Sequence, residues 1–246
     1  MKIELFGTSD IGRKRETNQD AYKICGFDGR GKTVRGLCVV ADGMGGHKAG
    51  EVASRETVEG LSAAFESGAF SRNPEGMVKS IEAVNIKIFS ESAANEGLSG
   101  MGTTVVAGYL LGERLYVANV GDSRCYMIRS GEKITQITVD HSIIEEHIAA
   151  GNITREEAAV HPQRHMITRA VGSEETVKVD LFETDVHSGD IFLFCTDGLT
   201  EMVKAEEILK IMMNEPDLTG AVNNLVFTAN KNGGLDNITV VAMKII

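Results

Sequence analysis

The sequence predicts an α+β fold, a four-layer sandwich of two stacked, mainly antiparallel β-sheets flanked by helix pairs. Apolar runs of strand length recur along the chain, and those in its middle are joined by links of very few residues. One-faced helical segments lie before and after them, and such faces need a sheet to cover.

The strand-like runs are 37–41 (LCVVA), 103–111 (TTVVAGYLL), 114–120 (RLYVANV), 123–129 (SRCYMIR), 178–186 (KVDLFETDV), 190–195 (DIFLFC) and 237–245 (NITVVAMKI), rich in β-branched and aromatic residues and bounded by turn residues. The links GE, GD and SGEK between 103 and 137 are too short for crossover helices, so these strands are expected to pair as an antiparallel meander. Val58, Leu61 and Phe65 repeat at spacings of three and four, as do Met77, Ile81, Val84 and Ile88, and later Leu218, Val222, Leu225 and Ala229. There is no repeat, low-complexity stretch or linker, so residues 1–246 are expected to form one compact domain. Residues 143–170 interrupt the strand pattern with two short helical pieces and the helix-starting TREE, and read as an inserted flap.

Composition narrows the function classes. With 246 residues, 42% of them hydrophobic, the chain can bury a sizeable core. It has no run of 18 apolar residues, and MKIELFGTSD lacks a signal peptide's apolar stretch, so neither membrane span nor export is expected, and a cytoplasmic location is. A formal net charge of −10 argues against a nucleic-acid partner, which needs clustered Lys and Arg. Cys25, Cys38, Cys125 and Cys195 are scattered and without C-x-x-C spacing, which suits reduced core thiols.

The strand ends carry the chemistry. LCVVADG delivers Asp42, IFLFCTDG delivers Asp197, YVANVGDSR delivers Asp122, and GGLDNITVV presents Asp236 just before an apolar strand. Each Asp-Gly alone is turn chemistry. Four acids at the ends of core strands, however, would repel one another and resist burial unless they shared a cation. Oxygen-only ligands suit magnesium or manganese better than zinc. Gly43 is expected to turn sharply and offer its carbonyl to the metal, Gly45 and Gly46 to let a bulky substrate approach the backbone, and HKAGEVAS to open a helix whose first amides favour an anion. No G-x-x-x-x-G-K-[ST], no G-x-G-x-x-G after 37–41 and no G-x-S-x-G is present, and Cys195 lacks the nearby Arg that a thiolate phosphatase needs.

Taken in order, RETNQDAY (15–22), VVADGMGGHKAGEVAS (39–54), GMGTTVVAG (100–108), ANVGDSRCY (118–126), DHS (140–142), HPQRHMITRAVG (161–172), FCTDGLTE (194–201) and DNITVV (236–241) resemble the successive motifs of the metal-dependent type 2C protein Ser/Thr phosphatases, bacterial branch. The resemblance implies two Mn2+ or Mg2+ ions, with a third, weaker one in bacterial members. It also implies hydrolysis of phosphoserine and phosphothreonine by attack of a metal-bridging water, without a phosphoenzyme. Position by position, it makes Asp42 the bridging carboxylate, the Gly43 carbonyl a ligand of one ion, Asp197 and Asp236 ligands of the other, Asp20 an inner or outer ligand holding water, and Asp122 with Asp197 the ligands of the third ion. Arg15 would grip the substrate phosphate. Two positions depart from the eukaryotic pattern: Met44 stands where a His follows the Asp-Gly pair, and Gln19 where an acid stands. This leaves His47 or a metal-bound water as the proton donor, with His47 near the substrate. The implied partners are phosphorylated proteins, a Ser/Thr kinase or its substrates among them, met by a monomer. The alternative is a catalytically weak phosphoprotein-binding domain of the same fold.

Overall fold

Strand β3 (Arg35–Met44) shows how the layers arise. Leu37, Val39 and Ala41 point one way, into a core shared with helices, while Cys38 and Val40 point the other way, into a core shared with a second sheet. Buried on both faces, the strand reads as a continuous apolar run rather than an alternating one. The computed structural model describes residues 1–27, 35–45, 49–70, 73–158 and 160–246.

Before β3 lie β1 (Ile3–Asp10) and β2 (Asp20–Phe27), and after it helices α1 (Ala49–Glu66) and α2 (Glu75–Ala94). Then come β4 (Gly102–Thr103), β5 (Val105–Leu111), β6 (Arg114–Val120), β7 (Arg124–Arg129), β8 (Lys133–Gln136), and the short helices α3 (Ile143–Ala149) and α4 (Arg155–Ala158). The chain finishes with β9 (Asp180–Asp185), β10 (Ile191–Cys195), α5 (Asp197–Thr200), α6 (Ala205–Asn214), α7 (Leu218–Lys231) and β11 (Ile238–Ile245). One sheet has the order β1-β11-β10-β7-β8 and the other β2-β3-β5-β6-β9, with β4 paired to β3, and every pairing is antiparallel.

Helices α1 and α2 cover the second sheet through Val58, Leu61, Phe65, Met77, Ile81 and Ile88. Helices α6 and α7 cover the first through Ile208, Met212, Val222, Leu225 and Ala229. Burying each of these larger side chains contributes about 1.5–3 kcal/mol, so the helical periodicity seen in sequence is also where the layers are held together. Among the described residues no helix is long and apolar enough to cross a membrane. The cysteines are free thiols; Cys38, Cys125 and Cys195 are buried in strands, Cys25 is half-buried, and burial pushes all four thiols up.

The expected four-layer sandwich is present, but the meander is corrected. Strands β5 and β6 form a hairpin, as do β7 and β8, but β6 and β7 lie in different sheets. The GD link is therefore a crossing from one sheet to the other. Gly121 makes it with a φ of 101°, and a Cβ there would stand 2.6 Å from Thr104 Cγ2. The run 103–111 is likewise two strands, parted at Thr104. Strands β1 and β2 and helix α6 are absent from the sequence reading, and β8 enters it only as the run that the SGEK link leads into. Strand β1 is partly exposed throughout and lies at a sheet edge, so its residues carry no strong apolar alternation.

Candidate metal and phosphate site

Both sheets bring acids to the same end of the sandwich. Asp20 opens β2 directly opposite Asp42 in β3, so antiparallel register alone sets these two carboxylates side by side. Strand β10 ends at Cys195, and Thr196 and Asp197 follow at the start of α5, while Asp236 precedes β11. Asp122 sits on the crossing turn between the sheets. An open pocket of about 520 Å³ is lined by Asp42, Asp122, Asp197 and Asp236 together with Arg15, Gly43 and Met44.

Hydrogen bonds hold Asp20, Asp42 and Asp236 in place. Asp20 Oδ2 accepts from Thr239 Oγ1 at 2.6 Å and from Thr196 Oγ1 at 3.0 Å. The Asp42 amide donates to Thr104 Oγ1 at 3.0 Å, and its carbonyl accepts from the Thr104 amide at 2.9 Å. The Asn237 amide donates to Asp236 Oδ1 at 2.8 Å. Asn237 also fastens the loop that carries Arg15: its Oδ1 accepts from the Gln19 amide at 2.8 Å, and its Nδ2 donates to the carbonyls of Ile11 and Thr17 at 2.9 and 3.0 Å. Arg15 itself donates through Nη2 to Asp236 Oδ2 at 2.6 Å, half exposed at the pocket mouth.

The electrostatics of this cluster are those of an anionic cage. Burial, then repulsion from Asp20, Asp197, Asp122 and Asp236, holds the Asp42 carboxyl well above the usual range. Burial also lifts Asp20 and Asp122 to about 7. Asp197 is lifted to about 6 by burial and by Glu201 and Asp236, against a hydrogen bond with Asp42 and the pull of His165. Two oxygens, Asp20 Oδ1 and Asp197 Oδ1, are buried without a hydrogen-bond partner. Leaving such atoms unsatisfied is costly. Hard divalent cations match what the cluster lacks, since an oxygen-only donor set with spare lone pairs and mutual repulsion is stabilised by positive charge.

Gly43 is corrected in one respect. It remains within strand β3, paired with Thr103, and the sharp positive φ belongs to Gly45 at 137°. The glycine is needed because the chain passes against the Gly50 carbonyl of α1 and the Gln19 carbonyl, where a Cβ has no room. Gly46 and His47 lie outside the described residues.

Sequence reasoning missed His165 and Glu201. Both line the pocket, His165 Nδ1 meets a Glu201 carboxylate oxygen, and ligand atoms of His165, Asp197 and Glu201 lie within 4.8 Å of one another. Glu201 was legible as the i+4 neighbour of Asp197 on a helix; the approach of His165 across the flap was not. Thr196 and Thr239 were missed because a hydroxyl that supports a carboxylate reads locally as a strand residue. Beside the pocket runs a second groove of about 500 Å³ between the flap and the core, lined by Ile144, Ile148, Ala158, Arg164, Met202 and Lys204, and Asp122, Asp197, Glu201 and Leu235 wall both.

Residues 6–147 match the sequence profile of the family described as Protein phosphatase 2C. A Serine/threonine phosphatase stp of Listeria innocua is 37% identical over 240 residues, which are 96% of this chain and 93% of that protein. The serine/threonine phosphatase structure of S. agalactiae superposes with a TM-score of 0.90 at 37% identity, covering 100% of both chains. A structure of the catalytic domain of the serine threonine protein phosphatase PstP in complex with two manganese ions superposes with a TM-score of 0.85 at 33% identity, covering 99% of this chain and 98% of that one. With the acids, the sandwich and the full-length likeness in agreement, this chain belongs to the protein phosphatase 2C family.

Proposed function

We propose that the chain is a metal-dependent phosphoprotein phosphatase that hydrolyses phosphoserine and phosphothreonine, and that the acidic pocket is its active site. The observation that carries this reading is the convergence of Asp42, Asp122, Asp197 and Asp236 on one pocket, with Asp20 buried opposite Asp42 and two buried carboxylate oxygens, Asp20 Oδ1 and Asp197 Oδ1, unsatisfied. Asp42, the Gly43 carbonyl, Asp197 and Asp236 would hold two divalent ions, Mn2+ or Mg2+, with Asp20 behind them. Asp122 and Asp197 would hold a third more weakly. The manganese pair in PstP supports the number. Bound there, such ions polarise a phosphate ester, neutralise its charge and acidify water.

The chain's own residues do the rest. Arg15 offers a planar guanidinium at the mouth, the geometry that binds a phosphate through two parallel hydrogen bonds, once its carboxylate partner Asp236 is engaged by a cation. Thr196 and Thr239 hold Asp20, and Asn237 holds the Arg15 loop. None of the buried thiols is suited to act as a nucleophile, since burial keeps each protonated. We read residues 143–170 as a flap of one catalytic domain, with the groove beneath it receiving the peptide around the phosphorylated residue. Substrates are then proteins phosphorylated by Ser/Thr kinases.

Phosphate release from a phosphothreonine peptide, measured with manganese, without it and after chelation, tests the reading. Release that requires the metal is expected. Peptide binding without metal-dependent release would favour a phosphoprotein-binding module instead.

A further inference from the structure

The DHS motif, residues 140–142, has no role in the chemistry above, yet each of its residues is tied to the Asp122 turn or to the flap. Asp140 pairs with Arg124, two residues beyond Asp122, with Nη2 to Oδ2 at 2.6 Å and Nε to Oδ1 at 3.1 Å. Ser142 caps α3, its Oγ accepting from the Glu145 amide at 3.2 Å.

His141 grips the turn itself. Its amide donates to the Gly121 carbonyl at 3.0 Å, and the Gly121 amide donates to His141 Nδ1 at 3.0 Å. A ring nitrogen that accepts from an N–H carries no proton, so the proton of the neutral ring sits on Nε2. Asp180 Oδ2, 3.2 Å from Nε2, accepts it. Arg169, at the far end of the flap, donates through Nη1 to Asp180 Oδ1 and to the Lys178 carbonyl, both at 3.0 Å, and stands 2.9 Å from Nε2. The ring is 6% exposed. Burial lowers its pKa and so does the Arg169 charge, against the hydrogen bond to Asp180, which agrees with a neutral ring.

The other side of the turn is anchored to the pocket floor. Ser123 Oγ lies 2.7 Å from Thr104 Oγ1, which accepts from the Asp42 amide at 3.0 Å. A continuous hydrogen-bonded path thus runs from Arg169 and Asp180 through His141, the turn 121–123 and Thr104 to Asp42.

We propose that His141 is a positioning residue for the Asp122 carboxylate, its Nδ1 lone pair fixing the Gly121 amide and hence the direction from which Asp122 enters the pocket. The inference rests on the reading of Asp122 as a ligand of the weaker cation. His141 touches neither cation nor substrate, and acts as the outer partners of metal ligands do elsewhere, where their loss costs 10–100-fold in metal affinity.

The test is a manganese titration of the chelator-stripped full chain by calorimetry and electron paramagnetic resonance. The wild type is expected to show a tight and a weak class of sites, with the weak class removed by Asp122→Asn. His141→Leu should weaken that class about 10–100-fold and leave the tight class unchanged. His141→Asn, whose Oδ1 can accept from the Gly121 amide, should restore most of the loss. The 15N spectrum of the wild-type imidazole should show an unprotonated Nδ1. A folded His141→Leu that titrates like the wild type, or an Asn variant no better than Leu, overturns the inference and leaves the reading of Asp122 standing. No effect of Asp122→Asn overturns both. If melting in chelator shows that His141→Leu does not fold, Asp180→Ala decides: it removes the acceptor that holds the ring, so the weak class should again weaken, and an unchanged weak class overturns the inference.

Discussion

The pocket floor and the flap beside it are built on opposite principles. Asp42, Asp197 and Asp236 lie in or next to β3, β10 and β11, strands buried on both faces, and the hydrogen bonds around the floor acids come from Thr104, Thr196, Thr239 and Asn237, all buried. The flap between Ser142 and Ala170 holds a seven-residue and a four-residue helix, and Val160 is 80% exposed. Its two short helices are held locally, by the Ser142 cap and an Arg155–Glu145 ion pair, while His165 reaches Glu201 and Arg169 reaches Asp180 at its far end. Strand ends over a packed core hold charges against repulsion, which reaction chemistry needs. A loosely tied segment can vary without disturbing them, which suits recognition.

Breaking the floor should have the largest effect. Asp42→Asn, Asp197→Asn and Asp236→Asn are each expected to lower metal-dependent turnover by at least about 100-fold, since ligands matter no less than the outer partners whose loss costs 10–100-fold. The fold should survive, and in chelator each variant should melt slightly above the wild type, because a source of repulsion is gone. If all three unfold, the acids are structural and the site is wrongly placed.

Burial of these carboxyls, reinforced by their repulsion, makes metal-free stability depend on pH. In the folded chain Asp20 and Asp122 titrate near 7 and Asp197 near 6, against about 3.8 for an ordinary Asp. Between those limits the folded state binds more protons than the unfolded one, so stability falls as pH rises from about 4 to about 7. Thermal melts in chelator should therefore show a higher midpoint at pH 5 than at pH 8. Manganese should narrow or reverse the difference, and Asp42→Asn should flatten it. A midpoint in chelator that rises between pH 5 and pH 8 would show that burial and repulsion do not raise these carboxyls in the folded chain.

Arg15 stands between floor and mouth, and its effect should be intermediate. Arg15→Lys replaces a fork with a point charge, and losing one charge-assisted hydrogen bond of about 1.5–3 kcal/mol corresponds to a KM for phosphopeptide raised about tenfold or more. Turnover should change less. An unchanged KM would take Arg15 out of the phosphate site.

What was legible in sequence follows the same division. Asp42 and Asp197 could be read because each follows an apolar run, and a strand buried on both faces announces itself. The helix faces were legible because Leu61, Ile81 and Leu225 lie on periodic stripes that coincide with the core. The meander failed at Gly121 and Asp122, because a two-residue link looks the same whether it closes a hairpin or crosses between sheets. Only the partners of β6 and β7 decide that, and they are β9 and β10, far along the chain. His165 escaped for a similar reason: nothing within HPQRH says that its ring meets Glu201. Local pattern reports burial well, whereas contacts between distant segments depend on topology.

The smallest expected effect belongs to the flap, and it tests the division most directly. Thr154 and Glu157 form a reciprocal cap at the start of α4: the Glu157 amide donates to Thr154 Oγ1 at 3.2 Å and the Thr154 amide to Glu157 Oε2 at 2.8 Å. Arg155 ties the same turn to Glu145 of α3 at 2.9 Å. Replacing Thr154 to Glu157 with alanine removes this cap, worth about 1 kcal/mol, and the tie to α3. The groove lined by Ile148 and Ala158 should lose its shape while the floor acids keep theirs. A peptide needs that groove on our reading, whereas a small aryl phosphate needs only the floor and Arg15. With metal saturating and one preparation used for both substrates, kcat/KM for phosphopeptide should fall several-fold while that for the aryl phosphate stays near wild type. Equal losses on the two would mean that the flap supports the floor after all, and the contrast between them would collapse; no loss on either would make the segment a connector without a part in recognition.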